Sequence, residues 1–229
     1  MFICRLILCF IFFMPAVQAG SKQDPVITGL KLDRFEFHNT ENDDVLYLEG
    51  ETYLSQDAYT AVLKAEVEWK NGSTHDVELQ LLYGVPISTY WDVYAGVRND
   101  FKPDPNRTWG VLSLEGLAPG FIEMTASVFL GEGAHTAARL ELEYEMALSD
   151  RWMLTPEAEI YVTGQHDEAI RVGVGLSKIE ASLLLSYNIH PQVAPYAGVK
   201  WSALYGETAD YADGEDEESA LVLGVKASF

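Results

Sequence analysis

The 229-residue sequence is short of cysteine, of basic side chains and of long apolar runs. Its two cysteines, Cys4 and Cys9, both fall in the first ten residues, so the rest of the chain can form neither a disulfide nor a thiolate metal site. Fifteen basic residues against 35 acidic ones leave a formal charge of -20. Phosphate binding needs a basic surface, so nucleic acid is excluded as a partner. Past the N-terminus no stretch of about 20 apolar residues exists, which excludes a later transmembrane helix. What is plentiful is aromatic: Phe, Trp and Tyr make up 12% of the chain, too much for a solvated, disordered polyanion.

Residues 1–19 read as a secretory leader, to be cleaved after Ala19. Arg5 precedes an apolar stretch from Leu6 to Val17, and Val17-Gln18-Ala19 presents small residues where a signal peptidase reads them. A lipoprotein leader ending at Cys9 is disfavoured, because Leu8 stands where a small residue is needed. A short periplasmic segment, 20–27, would follow, and then a single domain over 28–229.

The domain alternates with period 2. Ile122, Met124, Ala126, Val128 and Leu130 share one parity; Glu123, Thr125 and Ser127 share the other. Ala138, Leu140, Leu142, Tyr144 and Met146 oppose Arg139, Glu141, Glu143 and Glu145. About 180° per residue is strand, not helix. About twelve such segments are expected, near 28–38, 44–54, 58–70, 75–84, 87–99, 107–118, 119–131, 135–147, 151–163, 177–189, 192–205 and 217–229. Most exceed the usual soluble strand of about 5–6 residues and reach the 9–11 that a tilted membrane strand needs. Short connections such as GVPIS and LAPG alternate with longer polar ones such as TGQHDEAIRVGVGL and YGETADYADGEDEE. Tyr59 and Trp69 bracket one outward face, and Trp91, Trp152 and Trp201 lie near other strand ends, as interfacial girdles would. The expected fold is an all-β, transmembrane, antiparallel up-and-down β-barrel of about twelve strands, with ten as the alternative. Lipid would surround it. The final alternating strand ends on Phe229, the kind of terminus that barrel-assembly machinery reads. Short turns would face the periplasm and long loops the outside. A secreted β-sandwich, the soluble alternative, does not explain the strand lengths or the paired loop lengths.

Parity then nominates the lumen. It places Glu49 or Glu51, Glu66, Glu68, Glu78, Gln80, Tyr90, Asp92, Tyr94, Arg98, Glu123, Arg139, Glu141, Glu143, Glu157, Glu159, Lys178, Glu180, Lys200 and Lys226 inside. Two readings stand: an ion-pair network that fills and stiffens the barrel, or a cation path in which surplus carboxylates hold a negative potential. For metal, His38, His75, His135 and His166 all fall at or near long loops and are the candidate ligands of a rim site; imidazole suits copper and zinc. Met124 and Met146 are on the lipid parity, so no thioether relay is expected. The seven acids of residues 207–218 lack the order of an EF-hand and read as a solvated loop. GxSxG, HExxH, CxxC and Walker patterns are absent. His166, beside Asp167 and Glu168, has no obvious nucleophile, so no enzyme is expected.

The stretches ISTYWDVYAGVRNDF (87–101), RTWGVLSLEGLAPGFIEMTASVFLGEGAHTAARLELEYEMALSDRWMLTPEAEI (107–160), VAPYAGVKW (193–201) and GETAD (206–210) resemble the copper-resistance protein B family of outer-membrane proteins. The resemblance runs from about residue 28 to Phe229. It implies an outer-membrane barrel, copper ions as cargo or ligand, and work alongside a periplasmic multicopper oxidase or copper chaperone. The matching lumen positions are Asp92, Arg98, Glu123, Arg139, Glu141 and Glu143. Family members often carry an N-terminal extension rich in Met and His; here Gly20 to about Thr28 holds neither.

Overall fold

The computed structural model describes residues 26–40, 43–56, 58–212, 214 and 216–229. The expected leader and most of the segment after it lie outside the described residues. Twelve long strands follow in order: β1 (Ile27–Asn39), β2 (Asp44–Gln56), β3 (Tyr59–Lys70), β4 (Ser73–Pro86), β5 (Trp91–Lys102), β6 (Arg107–Ala118), β7 (Ile122–Gly131), β8 (Thr136–Glu143, continued by Met146–Ala147), β9 (Trp152–Thr163), β10 (Gly175–Tyr187), β11 (Val193–Leu204) and β12 (Glu217–Ser228). Each pairs antiparallel with its neighbours in sequence, and β1 also pairs with β12, which closes the ring. Closure leaves no strand edge unpaired, the condition for a sheet in lipid. Twelve strands, not ten, complete the barrel.

The outer face is apolar. Leu81, Tyr83, Val97, Leu112, Val128, Leu130, Leu221 and Leu223 all expose their side chains outward. Aromatics gather at the short-turn end, where Tyr59 stacks on Tyr83 with centroids 5.8 Å apart and Trp152 tilts against Tyr187 at 4.8 Å. Trp69 departs from the girdle reading: it is buried, next to a bulge between Glu68 and Trp69.

Three local features shift the boundaries expected from alternation. Ile87 and Ser88 donate their backbone N–H groups to the Trp91 carbonyl at 2.9 and 3.1 Å. That turn starts β5 at Trp91, and Tyr90, expected in the lumen, is instead 61% exposed. Gly120 and Phe121 both take positive φ, 93° and 64°, so the turn before β7 extends to residue 121. The break in β8 faces Pro156, which lies between Leu154, paired with Met146, and Glu157, paired with Glu143. Proline has no N–H to donate to a ladder, and only the Tyr144 N–H to Pro156 carbonyl bond, 3.1 Å, spans the gap.

Asn71 and Gly72 have φ of 52° and 77°, the pattern of a tight two-residue hairpin. The NGSTH connection is therefore short although it lies on the long-loop side. The difference between the two ends is carried mainly by residues 164–174 and 205–216.

Inward tyrosines are seated over glycines of the adjacent strand. A Cβ on Gly84 would stand 2.2 Å from the Tyr94 ring, and one on Gly224 would stand 2.5 Å from the Tyr196 ring. Glycine in a strand permits this close approach.

Candidate functional site

Strand parity places Glu66, Glu68, Asp92, Arg98, Glu123, Arg139, Glu141, Glu143, Lys178 and Glu180 on the inner face. Glu49 and Glu51 are two residues apart and both line the lumen. Register then adds what parity alone does not show: the acids stand side by side. Glu49 is opposite Glu66, Glu66 opposite Glu78, and Glu78 opposite Asp100, a row across β2 to β5. Glu123, Glu143 and Glu157 form a second row across β7 to β9. Glu141, Glu159 and Glu180 form a third across β8 to β10. Asp92 faces Glu115. Like charges directly opposite on neighbouring strands are destabilising, so each row needs positive charge from elsewhere.

Some of it comes from across the barrel. Lys226 on β12 reaches Glu143 at 3.2 Å and Glu157 at 3.5 Å. Arg34 on β1 reaches Glu157 at 3.1 Å and Glu49 at 3.5 Å. Lys178 and Lys200 share Glu180 at 2.6 and 3.0 Å. Lys64 holds Glu115 at 2.8 Å. The bases do not match the acids in number. Toward the short-turn end the lumen holds a cavity of about 400 Å³, lined by eleven carboxylates and five basic side chains. Among the described residues Glu123 and Glu141 form no ion pair.

Toward the long-loop end the same strands carry a buried cluster of charged and aromatic side chains. Arg98 and Arg139 reach the same oxygen of Glu78, Oε2, at 2.8 and 3.1 Å. Arg98 also donates to Asp100 at 2.6 Å, and Trp109 Nε1 donates to the other Asp100 oxygen at 2.8 Å. Phe129 packs against both guanidinium groups, with its centroid 4.8 Å from the Arg98 Cζ and 5.8 Å from the Arg139 Cζ. It is 1% exposed. Val62, Leu82, Val111 and Ala137 pack around it.

Several of these groups were not legible from alternation. A bulge between Leu32 and Arg34 reverses the parity of β1, turning Arg34, Glu36 and His38 inward and Phe35 and Phe37 outward. His38, expected near a loop, is therefore buried in the lumen. Its Nε2 lies 2.6 Å from Glu36 Oε2, its ring stacks on Tyr47, and Tyr196 donates its hydroxyl to the other Glu36 oxygen at 2.6 Å. Phe129 and Trp109 share the inner parity but are apolar, so a polar-inside rule passes over them.

The four histidines do not assemble into the expected rim site. His75 lies 3.5 Å from Glu68, and His135 Nδ1 donates to the Glu132 carbonyl at 2.7 Å. His166 sits between Glu207, 3.3 Å from Nδ1, and the Tyr211 hydroxyl, 2.6 Å from Nε2. Among the described residues no three His, Cys, Asp or Glu side chains converge on a point that could hold a metal ion. His166 does a different job: it joins the two long loops. Arg107 at the start of β6 holds Asp167 of the first loop through both carboxylate oxygens, at 2.7–3.0 Å, so that loop reaches back past the β7–β8 hairpin. Of the acids in 207–218, Glu207 is engaged by His166 and by the Val174 N–H at 3.3 Å.

Residues 26–229 match the family described as "Copper resistance protein B precursor (CopB)". A copper resistance protein B homolog of Pseudomonas syringae pv. tomato is 38% identical over 86% of this chain and 68% of its own length. Copper resistance protein B of Escherichia coli is 37% identical over 84% of this chain, and the chain spans 65% of that relative. Among solved structures, the NanC porin superposes with a TM-score of 0.57 at 15% identity, covering 86% of this chain and 98% of that one. The KdgM porin gives 0.56 at 13%, covering 88% and 99%. These two share the outer-membrane-type barrel fold.

Proposed function

Since the chain belongs to the copper resistance protein B family, we propose that it is a non-enzymatic barrel of the Gram-negative outer membrane that binds or passes copper ions through its lumen as part of copper homeostasis. The observation that carries this is the three rows of facing carboxylates with too few bases to neutralise them. Such an array lowers its own energy by admitting cations and repels anions. Its oxygen donors, with His38 beside Glu36, suit Cu(II) better than Cu(I), which prefers sulfur. The absence of a converged ligand set among the described residues fits passage better than tight storage. Lipid, the assembly machinery that would read Phe229, and a periplasmic copper oxidase or chaperone are the partners this reading assigns.

A strain lacking the protein is expected to lose copper tolerance, and wild-type tolerance would count against the reading. Purified barrel in liposomes is expected to admit Cu(II) faster than protein-free vesicles. A second reading, a cation channel indifferent to metal, is favoured by the same lack of a converged site. It predicts equal entry of Cu(II) and Mg(II).

A further inference from the structure

We propose that Arg98, Arg139 and Glu78, closed around Phe129, form the constriction that decides whether a cation crosses this lumen, so that the resting barrel is a periplasm-facing acidic cup with its outer side shut. This rests on the cation-passage reading above and adds where passage is controlled.

Position supports it. On β4, β5, β7 and β8, with β6 intervening, the four residues lie toward the long-loop end, while Glu115, Glu123 and Glu143 of the cavity lie toward the short turns. A cation moving outward therefore leaves a carboxylate-lined space and meets two guanidinium groups. A smaller pocket of about 50 Å³ lies between the cavity and this layer, with Glu66, Glu115 and Glu141 in its lining beside Gln80, Ser113, Ser127, Phe129 and Arg139. Ser113 and Ser127 are hydrogen-bonded to each other there.

Chemistry supports it too. Two cations share one oxygen of one carboxylate, and Phe129 offers its ring face to both. Cation–π attraction strengthens when water is excluded, so the arrangement favours the shut state. Its bonding is incomplete. Arg98 Nη1 and Arg139 Nε are buried without a hydrogen-bond partner, and unmet buried donors are costly. Asp100 anchors Arg98 on its own strand, but only Glu78 links the two guanidinium groups to each other among the described residues, and a link with unmet donors beside it can be parted by a competing charge more readily than a fully satisfied one.

The test is single-channel conductance of the purified full barrel in planar bilayers with KCl. It is measured for the unmodified protein, Phe129→Ala and Glu78→Gln, each also in an Arg107→Ala background so that the strapped outer loop does not mask a change. Heat-modifiable migration in detergent gels checks that each variant folds. Both single variants are expected to raise conductance roughly tenfold. If the unmodified barrel already conducts as well as Phe129→Ala, or if neither variant raises conductance in either background, the constriction is overturned. Copper entry into liposomes reads the other hypothesis separately: raised KCl conductance without preferential Cu(II) entry keeps the constriction and removes copper selectivity.

Discussion

Arg139 illustrates what a buried charge does here. It reaches Glu78 at 3.1 Å and Glu159 at 3.9 Å, and lies over the rings of Phe129 and Tyr161. Removing one partner of a buried pair leaves the other uncompensated, at about 3–5 kcal/mol. Arg139→Ala is expected to lower barrel stability by that order in urea unfolding from detergent micelles. Arg151→Ala, in a short turn with Tyr187 as its partner, should cost little, and equal costs would contradict the network. At the loop end, hydrogen bonds from Lys70 and then Asn71 hold the Asp43 carboxyl below its usual range. Its charged form is therefore favoured in the folded loop. The contact should persist at neutral pH and be lost as pH falls through that lowered value. Protection of the amides of residues 43–45 and 70–72, relative to their intrinsic exchange rates at each pH, should fall in acid for the unmodified protein, and Asp43→Asn should flatten the profile.

Elements show where alternation suffices and where it fails. In β7, and in the stretches of β3, β8 and β10 that carry the acids, a period of 2 delivers the inward carboxylates directly, because side chains of a strand cannot change face without an extra residue. In β1 the bulge supplies that residue; the apolar phase moves there from even positions, Leu30 and Leu32, to odd ones, Phe35 and Phe37, and the two consecutive charged residues Asp33 and Arg34 both end on the inner side. His38 stands beside the β1–β2 loop, and its inward face follows from that bulge; Tyr90 is exposed because the turn at 87–90 consumes four residues of apparent strand. The facing rows of carboxylates were invisible for another reason: register between strands depends on turn lengths, which the sequence expresses only at sites such as Asn71-Gly72. Strand seating gives its own prediction. Gly84→Val should displace the Tyr94 ring and cost about 1–3 kcal/mol by overpacking. Pairing it with Tyr94→Ala should recover much of that loss, and no recovery would show that the ring is not the obstacle.

At the scale of the molecule, closure and charge are coupled. A sealed ring turns the polar face of each strand inward, and the eleven carboxylates and five bases that line the cavity leave a surplus of negative charge in a confined space. Arg34 and Lys226 bridge from β1 and β12 to β8 and β9, which braces the cylinder, while Glu123 and Glu141 keep the cavity acidic. The account stands on that surplus being felt by ions. Its most direct measurement is the reversal potential of the purified barrel under a KCl gradient, for the unmodified protein and for Glu141→Gln combined with Glu143→Gln. The unmodified barrel should favour potassium over chloride, and the double variant, still folded by heat-modifiable migration, should move toward no preference; a reversal potential indicating no cation preference in the unmodified barrel, or one unaltered by the two substitutions, would contradict it.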